Sequence, residues 1–163
     1  MRDERAKSLS LYLDTSVWSF YFADDAPDKR DVTVMFFNQL PLSRYEIFIS
    51  PAVFKEVNAA PPEMRDKLLD LISRHGPTSI DLSDEIYDMA EAYHYYGAIP
   101  TSMPEDARHV ACATVAQLDA LISWNMKHIA NLRRQERIQA VNMMKGYHKP
   151  LYLITPLEVC DYE

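Results

Sequence analysis

The sequence predicts an α/β protein, a three-layer sandwich with a central, mainly parallel sheet. Short apolar runs alternate with longer amphipathic stretches along the whole chain. The short runs are continuously apolar rather than alternating, as in strands buried on both faces. Strand–helix alternation of this kind places helices over both faces of one sheet. The 163 residues, 48% of them hydrophobic, suffice for a sizeable core. No repeat, low-complexity stretch or linker divides the chain, so residues 1–163 are expected to form a single domain.

The elements follow in order. Leu9 to Leu13 reads as a strand ending at Asp14, with a short helix over residues 16–22. Asp24-Asp25-Ala26-Pro27-Asp28 should break that helix. Residues 31–40 are helical, with Val32, Phe36, Phe37 and Leu40 on one face. Residues 45–50 form the second strand. Ser50 as cap and Pro51 as first helical residue then open a helix that carries Glu56 and stops before Pro61-Pro62. Residues 62–75 form a helix closed by Gly76-Pro77. A strand over 78–82 precedes a helix over 83–96, where Ile86, Met89, Ala90 and Tyr93 make one stripe and Gly97 ends it. The next helix runs from 103 to about 117. Its Ala107, Val110, Ala111, Thr114 and Val115 form a small-residue face suited to close packing on a sheet. Residues 120–123 are a strand, 133–144 a helix, and 151–154 a last strand before Thr155-Pro156.

Composition narrows the function. A net charge of −7 and a pI near 5.2 argue against a general nucleic-acid binder, although a local basic patch can override them. Cys112 and Cys160 make neither a disulfide framework nor a CxxC zinc site, and are expected to be reduced thiols. The charged start Met1-Arg2-Asp3-Glu4-Arg5 lacks the apolar region of a signal peptide. No apolar run approaches the ~20 residues of a membrane span. A soluble, cytoplasmic protein without membrane attachment is expected. No GxGxxG follows the first strand, which sets aside a Rossmann oxidoreductase. Asp14-Thr15 after a strand suggests a haloacid-dehalogenase-type phosphotransferase, but that class wants a second Asp where Ser16 stands.

Four polar residues carry the chemistry. In a parallel sheet Asp14, Glu56, Asp106 and Asn125 all gather at the carboxyl edge, where open α/β sheets place their ligands. Carboxylates clustered without a cation nearby in sequence repel one another. A hard divalent cation relieves that repulsion, and Mg²⁺ or Mn²⁺ suits oxygen donors. The pattern points to metal-dependent chemistry on phosphates. Each residue alone has a plainer use. Asp14 can cap a helix, Glu56 can lie on a solvated face, Asp106 or Glu105 can answer a helix dipole, and Asn125 can fix a turn. Asp119 starts the strand that leads to Asn125. About five residues at ~3.3 Å each put it near the opposite edge, outside the site. Between Lys127 and Lys149 the bases Arg133, Arg134, Arg137 and Lys145 face one acid, Glu136, and make a candidate phosphate-binding stretch.

Taken together, these stretches resemble the PIN domain, the nuclease fold of VapC-like toxins, over nearly the whole chain. Leu11-Tyr12-Leu13-Asp14-Thr15-Ser16 looks like the family's first strand and its Asp. Ser50-Pro51-Ala52-Val53-Phe54-Lys55-Glu56-Val57 looks like its Glu-bearing helix. Asp106-Ala107-Arg108-His109-Val110-Ala111-Cys112-Ala113 looks like the Asp that opens a small-residue helix, and Ala120-Leu121-Ile122-Ser123-Trp124-Asn125 like the strand leading to the last polar ligand. The resemblance implies a metal-dependent endoribonuclease, with Asp14, Glu56 and Asp106 holding Mg²⁺ or Mn²⁺ and Asn125 completing the catalytic set. It further implies Thr15 and Ser16 near metal-bound water or phosphate. The family more often has Asp where Asn125 stands. Trp124-Asn125-Met126-Lys127-His128 resembles a subgroup with Asn and a nearby His, which places Lys127 and His128 against substrate. Implied partners are RNA, an antitoxin whose helix could lie along Trp18-Ser19-Phe20-Tyr21-Phe22, and a second copy through the tyrosine-rich stretch from Tyr87 to Tyr96. The alternative is a catalytically weakened PIN-fold module that binds RNA or a protein without cleavage.

Overall fold

The computed structural model describes residues 8–125 and 131–161. Five strands make one sheet: β1 (Leu9–Leu13), β2 (Tyr45–Ile49), β3 (Thr78–Ser79), β4 (Ala120–Ile122) and β5 (Tyr152–Ile154). Their order is β3-β2-β1-β4-β5, and every neighbouring pair is parallel. The chain first builds outward from β1 to β3, then returns to place β4 against the other side of β1. The order therefore reverses between β1 and β4. Crossovers on the two sides of such a reversal lie on opposite faces, because each is right-handed. Open α/β sheets place their ligands outside the carboxyl ends of the strands at such a reversal.

Helices α1 (Thr15–Phe20), α2 (Pro27–Gln39), α3 (Pro51–Asn58) and α4 (Pro62–His75) belong to the outward half. Helices α5 (Asp84–Tyr95), α6 (Pro104–Val115) and α7 (Leu132–Met144) belong to the returning half. Contacts follow this division: α1 packs on α2 and α4, and α5 packs on α6 and α7. Helix α3 touches both α4 and α6, so it bridges the layers above the strand ends. The expected three-layer α/β architecture is the one observed.

Local chemistry explains where helices begin. Asp14 is extended and caps α1 by accepting from the Ser16 amide. Ser50 caps α3 with Pro51 at the first position, and Ser83 caps α5 through the Ile86 amide. Gly76, in the left-handed conformation, closes α4. Helix α2 starts earlier than the sequence suggested. Pro27 is its first residue rather than part of a breaker, and Ala26 already accepts from the Arg30 amide at 2.9 Å. Strand β3 is shorter than expected, pairing with β2 only over Thr78 and Ser79 as an edge strand.

The core runs through the central strands. Leu11, Leu13, Ile49, Leu121 and Ile122 are buried, as are Ala107, Val110, Ala111 and Ala113 along α6. Trp18 is also fully buried, packed on Phe37 with ring centroids 5.0 Å apart, so it belongs to the core rather than to a surface groove. Both cysteines are free thiols. Among the described residues, no helix is long and apolar enough to cross a membrane.

At the amino edge, Asp119 pins β4 to β1. Its Oδ2 accepts from the Ser10 amide at 2.8 Å and the Ser10 hydroxyl at 3.0 Å, and Lys149 Nζ lies 3.1 Å from Oδ1. Burial pushes this carboxyl up, but the Ser10 and Lys149 contacts outweigh it and hold the pKa below 3.8. The ionised form is thus favoured by folding, and its contribution is lost as the pH falls through the lowered value. Asp119→Asn should cost about 1 kcal/mol in urea unfolding at pH 7, with the gap to wild type closing in acid.

Candidate active site

Asp14 follows the last residue of β1, on the strand beside the order reversal, and is 4% exposed. Its Oδ1 accepts from the Ser16 amide at 3.0 Å and the Ser16 hydroxyl at 2.5 Å, and its Oδ2 accepts from Ser123 Oγ at 2.6 Å. Those hydroxyls are themselves anchored to the turn after β4. Ser16 Oγ accepts from the Trp124 amide at 2.9 Å, and Ser123 Oγ accepts from the Asn125 amide at 2.9 Å. Trp124 is held in turn by its indole N–H, which donates to Thr33 Oγ1 at 2.8 Å. The ends of β1 and β4 are therefore stitched together around one carboxylate.

Glu56 and Asp106 approach from α3 and α6. Glu56 Oε1 lies 2.6 Å from His109 Nε2, with the imidazole 2% exposed and the Glu56 side chain 32% exposed. Asn125 Nδ2 donates to Asp106 Oδ2 at 3.2 Å. His109 follows Asp106 by three residues, so both lie on one face of α6. Glu105 is turned aside into ion pairs with Arg108 at 2.7 Å and Lys55 at 3.9 Å. Of the two acids that open α6, Asp106 is the one at the site.

The electrostatics centre on His109. Burial acts to strip its proton. The hydrogen bond to Glu56 and the charges of Asp14, Glu56 and Asp106 oppose this and win, so its pKa is raised. Burial likewise pushes Glu56 up, but the hydrogen bond and charge of His109 overcome it and the carboxyl is lowered. Thr15 Oγ1 is buried, makes no hydrogen bond of normal geometry, and is near enough to Glu56 to help hold it down. Asp14 goes the other way. Its burial outweighs the help of His109, Ser123 and Ser16, and its pKa is raised.

Among the described residues, no three His, Cys, Asp or Glu side chains are grouped as a metal would require. The chemical type of the donors still suits a hard cation: Asp14, Glu56 and Asp106 offer carboxylate oxygens, and the buried Thr15 hydroxyl beside Glu56 has no hydrogen-bond partner among the described residues. Tyr12, Ser50, Ser123 and His109 are parts of this site that the sequence reading did not assign. A histidine one helical turn past Asp106 was the available signal. Lys127 and His128 lie outside the described residues. The basic stretch is divided, because α7 runs back from the carboxyl edge toward the amino edge. Arg133 and Arg134 stand at its start, whereas Lys149 pairs with Asp119 at the far edge. A cavity of about 500 Å³ lined by Phe36, Gln39, Tyr45 and Val159 includes none of the site residues.

No family model matches the sequence, and no curated protein does. Among solved structures, the crystal structure of VapBC2 from Rickettsia felis bound to a DNA fragment from their promoter is similar at 17% identity, covering 90% of this chain and 98% of that chain with a TM-score of 0.49.

Because Asp14 has a raised pKa, the folded protein holds that proton more tightly than the unfolded chain. Stability is therefore lost as the pH rises through the raised value, and ionised Asp14 is a cost at neutral pH. Asn at this position keeps the Ser16 bonds and can donate to Ser123 Oγ. Asp14→Asn should melt at a higher temperature than wild type at pH 7 in metal-free buffer, and the difference should shrink on acidification toward 3.8.

Proposed function

We propose that this chain is a Mg²⁺- or Mn²⁺-dependent endoribonuclease of the PIN type. The observation that carries the reading is one buried imidazole, His109, that is hydrogen-bonded to Glu56 and lies in the electrostatic field of Asp14 and Asp106 beside the sheet's order reversal. In this reading the three carboxylates hold the cation. The chemistry such a cation supplies is charge stabilisation at a phosphodiester and a lowered pKa for bound water. Ser16 and Ser123 fix the direction of Asp14, and Asn125 orients Asp106 without adding charge. Thr15 and Ser16 open α1 next to Asp14, in reach of a phosphate or its hydration. Lys127 and His128 remain proposed substrate contacts. Exposed Arg133 and Arg137, in the first half of α7, are better placed for an RNA backbone than Lys145 or Lys149.

The motif resemblance extends the reading to a cytoplasmic toxin with an antitoxin partner. A second copy could meet the exposed rings of Tyr87, Tyr95 and Tyr96, whereas Tyr93 is spent inside, bonded to Thr114 and Asn142.

A second reading, a PIN-fold module that binds without cleaving, is favoured by one observation. Asn125 donates a hydrogen bond to Asp106 where an acid would offer another negative donor. Calorimetric titration of Mn²⁺ and cleavage of a mixed-sequence RNA separate the two. Cleavage should need Mg²⁺ or Mn²⁺, stop with chelator, and drop on the order of 100-fold or more in Asp14→Asn and in Asp106→Asn. Undiminished cleavage in these variants would sink the nuclease reading. A wild type that takes up no Mn²⁺ at millimolar concentration would favour the non-cleaving module.

A further inference from the structure

Four buried or half-buried residues form a closed circuit. Glu56 Oε1 meets His109 Nε2 at 2.6 Å, His109 Nδ1 meets the Tyr12 hydroxyl at 2.7 Å, and that hydroxyl meets Ser50 Oγ at 2.8 Å. Ser50 is the cap of α3, accepting from the Ala52 amide at 3.2 Å, and Glu56 lies on the same helix. The circuit leaves α3 at its first turn, passes through β1 and α6, and returns to α3 at Glu56.

We infer that Tyr12 and His109 form a positioning arm that fixes the Glu56 carboxylate at the site, an assignment that rests on the metal-binding reading above. Tyr12, Ser50 and His109 are almost wholly buried. Buried polar groups of this kind add little net stability and are costly when a partner is lost. Apolar side chains would fill the same space at less risk. What the polar circuit adds is direction. Both ring nitrogens of His109 are engaged, so the imidazole cannot swing, and the carboxylate it holds is the end of the chain that reaches solvent. The arrangement does not depend on the charge of His109. With the ring neutral, Nε2–H donates to Glu56 and Nδ1 accepts from Tyr12. With the ring protonated, Nδ1–H donates to the Tyr12 oxygen instead. Outer partners of metal-binding side chains commonly set ligand orientation in this way, and their loss costs roughly 10–100-fold in affinity.

Tyr12→Phe is the decisive variant, because it removes one hydroxyl two links away from Glu56 and keeps the ring in the core. His109→Leu removes the arm, and His109→Gln restores an amide donor toward Glu56. Mn²⁺ affinity is measured by calorimetry for each variant, alongside Glu56→Gln and thermal unfolding. The Glu56 side-chain carboxyl ¹³C resonance is followed in the metal-free protein. The expected result is Mn²⁺ binding weakened roughly 10–100-fold in Tyr12→Phe and His109→Leu, part recovery in His109→Gln, and a moved Glu56 resonance in Tyr12→Phe. Wild-type affinity and an unmoved resonance in a folded Tyr12→Phe would overturn the inference. If wild type itself binds no Mn²⁺, the metal reading fails. The resonance then decides alone: a shift in Tyr12→Phe upholds the arm, and no shift refutes it.

Discussion

The structure around the site is organised by the burial of a single carboxylate. Asp14 follows the central strand of a sheet covered on both faces, and so it is removed from water almost completely. An isolated buried carboxylate is untenable unless it is hydrogen-bonded or paired. The neighbouring chain is built to meet that demand. Two serine hydroxyls and a backbone amide take its oxygens, and those serines receive the amides of Trp124 and Asn125. The same bonds that solvate Asp14 fix the turn after β4 and start α1. Its compensation remains incomplete, which is why its pKa stays raised.

The acids were expected to lack a cationic partner nearby in sequence, yet an imidazole whose pKa they raise lies a single turn beyond Asp106, inside the same helix. When protonated, it offsets the mutual repulsion of these carboxylates from the buried side.

Much of the fold could be read from the chain because its signals are local. The apolar run Leu9–Leu13 and the helix bounded by Pro62 and Gly76 carry their own limits, and both appear where expected. The start of α2 was misread because Pro27 serves equally as a breaker and as a first helical residue, and only tertiary packing decides. Asp14 and Asn125 were legible as candidates because Asp14 follows β1 directly and Asn125 lies only three residues past β4. Tyr12, Ser50 and Ser123 were not. A tyrosine in an apolar strand and a serine at a helix start look like core and cap, and they are both of those things. Their further use depends on bonds that span 97 and 109 residues, as between Tyr12 and His109 or Ser123 and Asp14. No periodicity records such pairings.

The two ends of the β1–β4 pair hold acids in opposite electrostatic situations. Asp119 and Asp14 both bridge these strands, and both accept from serine hydroxyls. Asp119 does so at the amino edge with Lys149 beside it, and folding favours its charge. Asp14 does so at the carboxyl edge, beside the order reversal, and folding opposes its charge. A carboxylate that merely joined two strands would be expected to resemble Asp119 at either end. Retaining one whose ionisation costs stability makes physical sense where the unsatisfied charge meets something that arrives from solution. The difference between these two aspartates, rather than the presence of acids as such, is what supports the site proposed at the carboxyl edge.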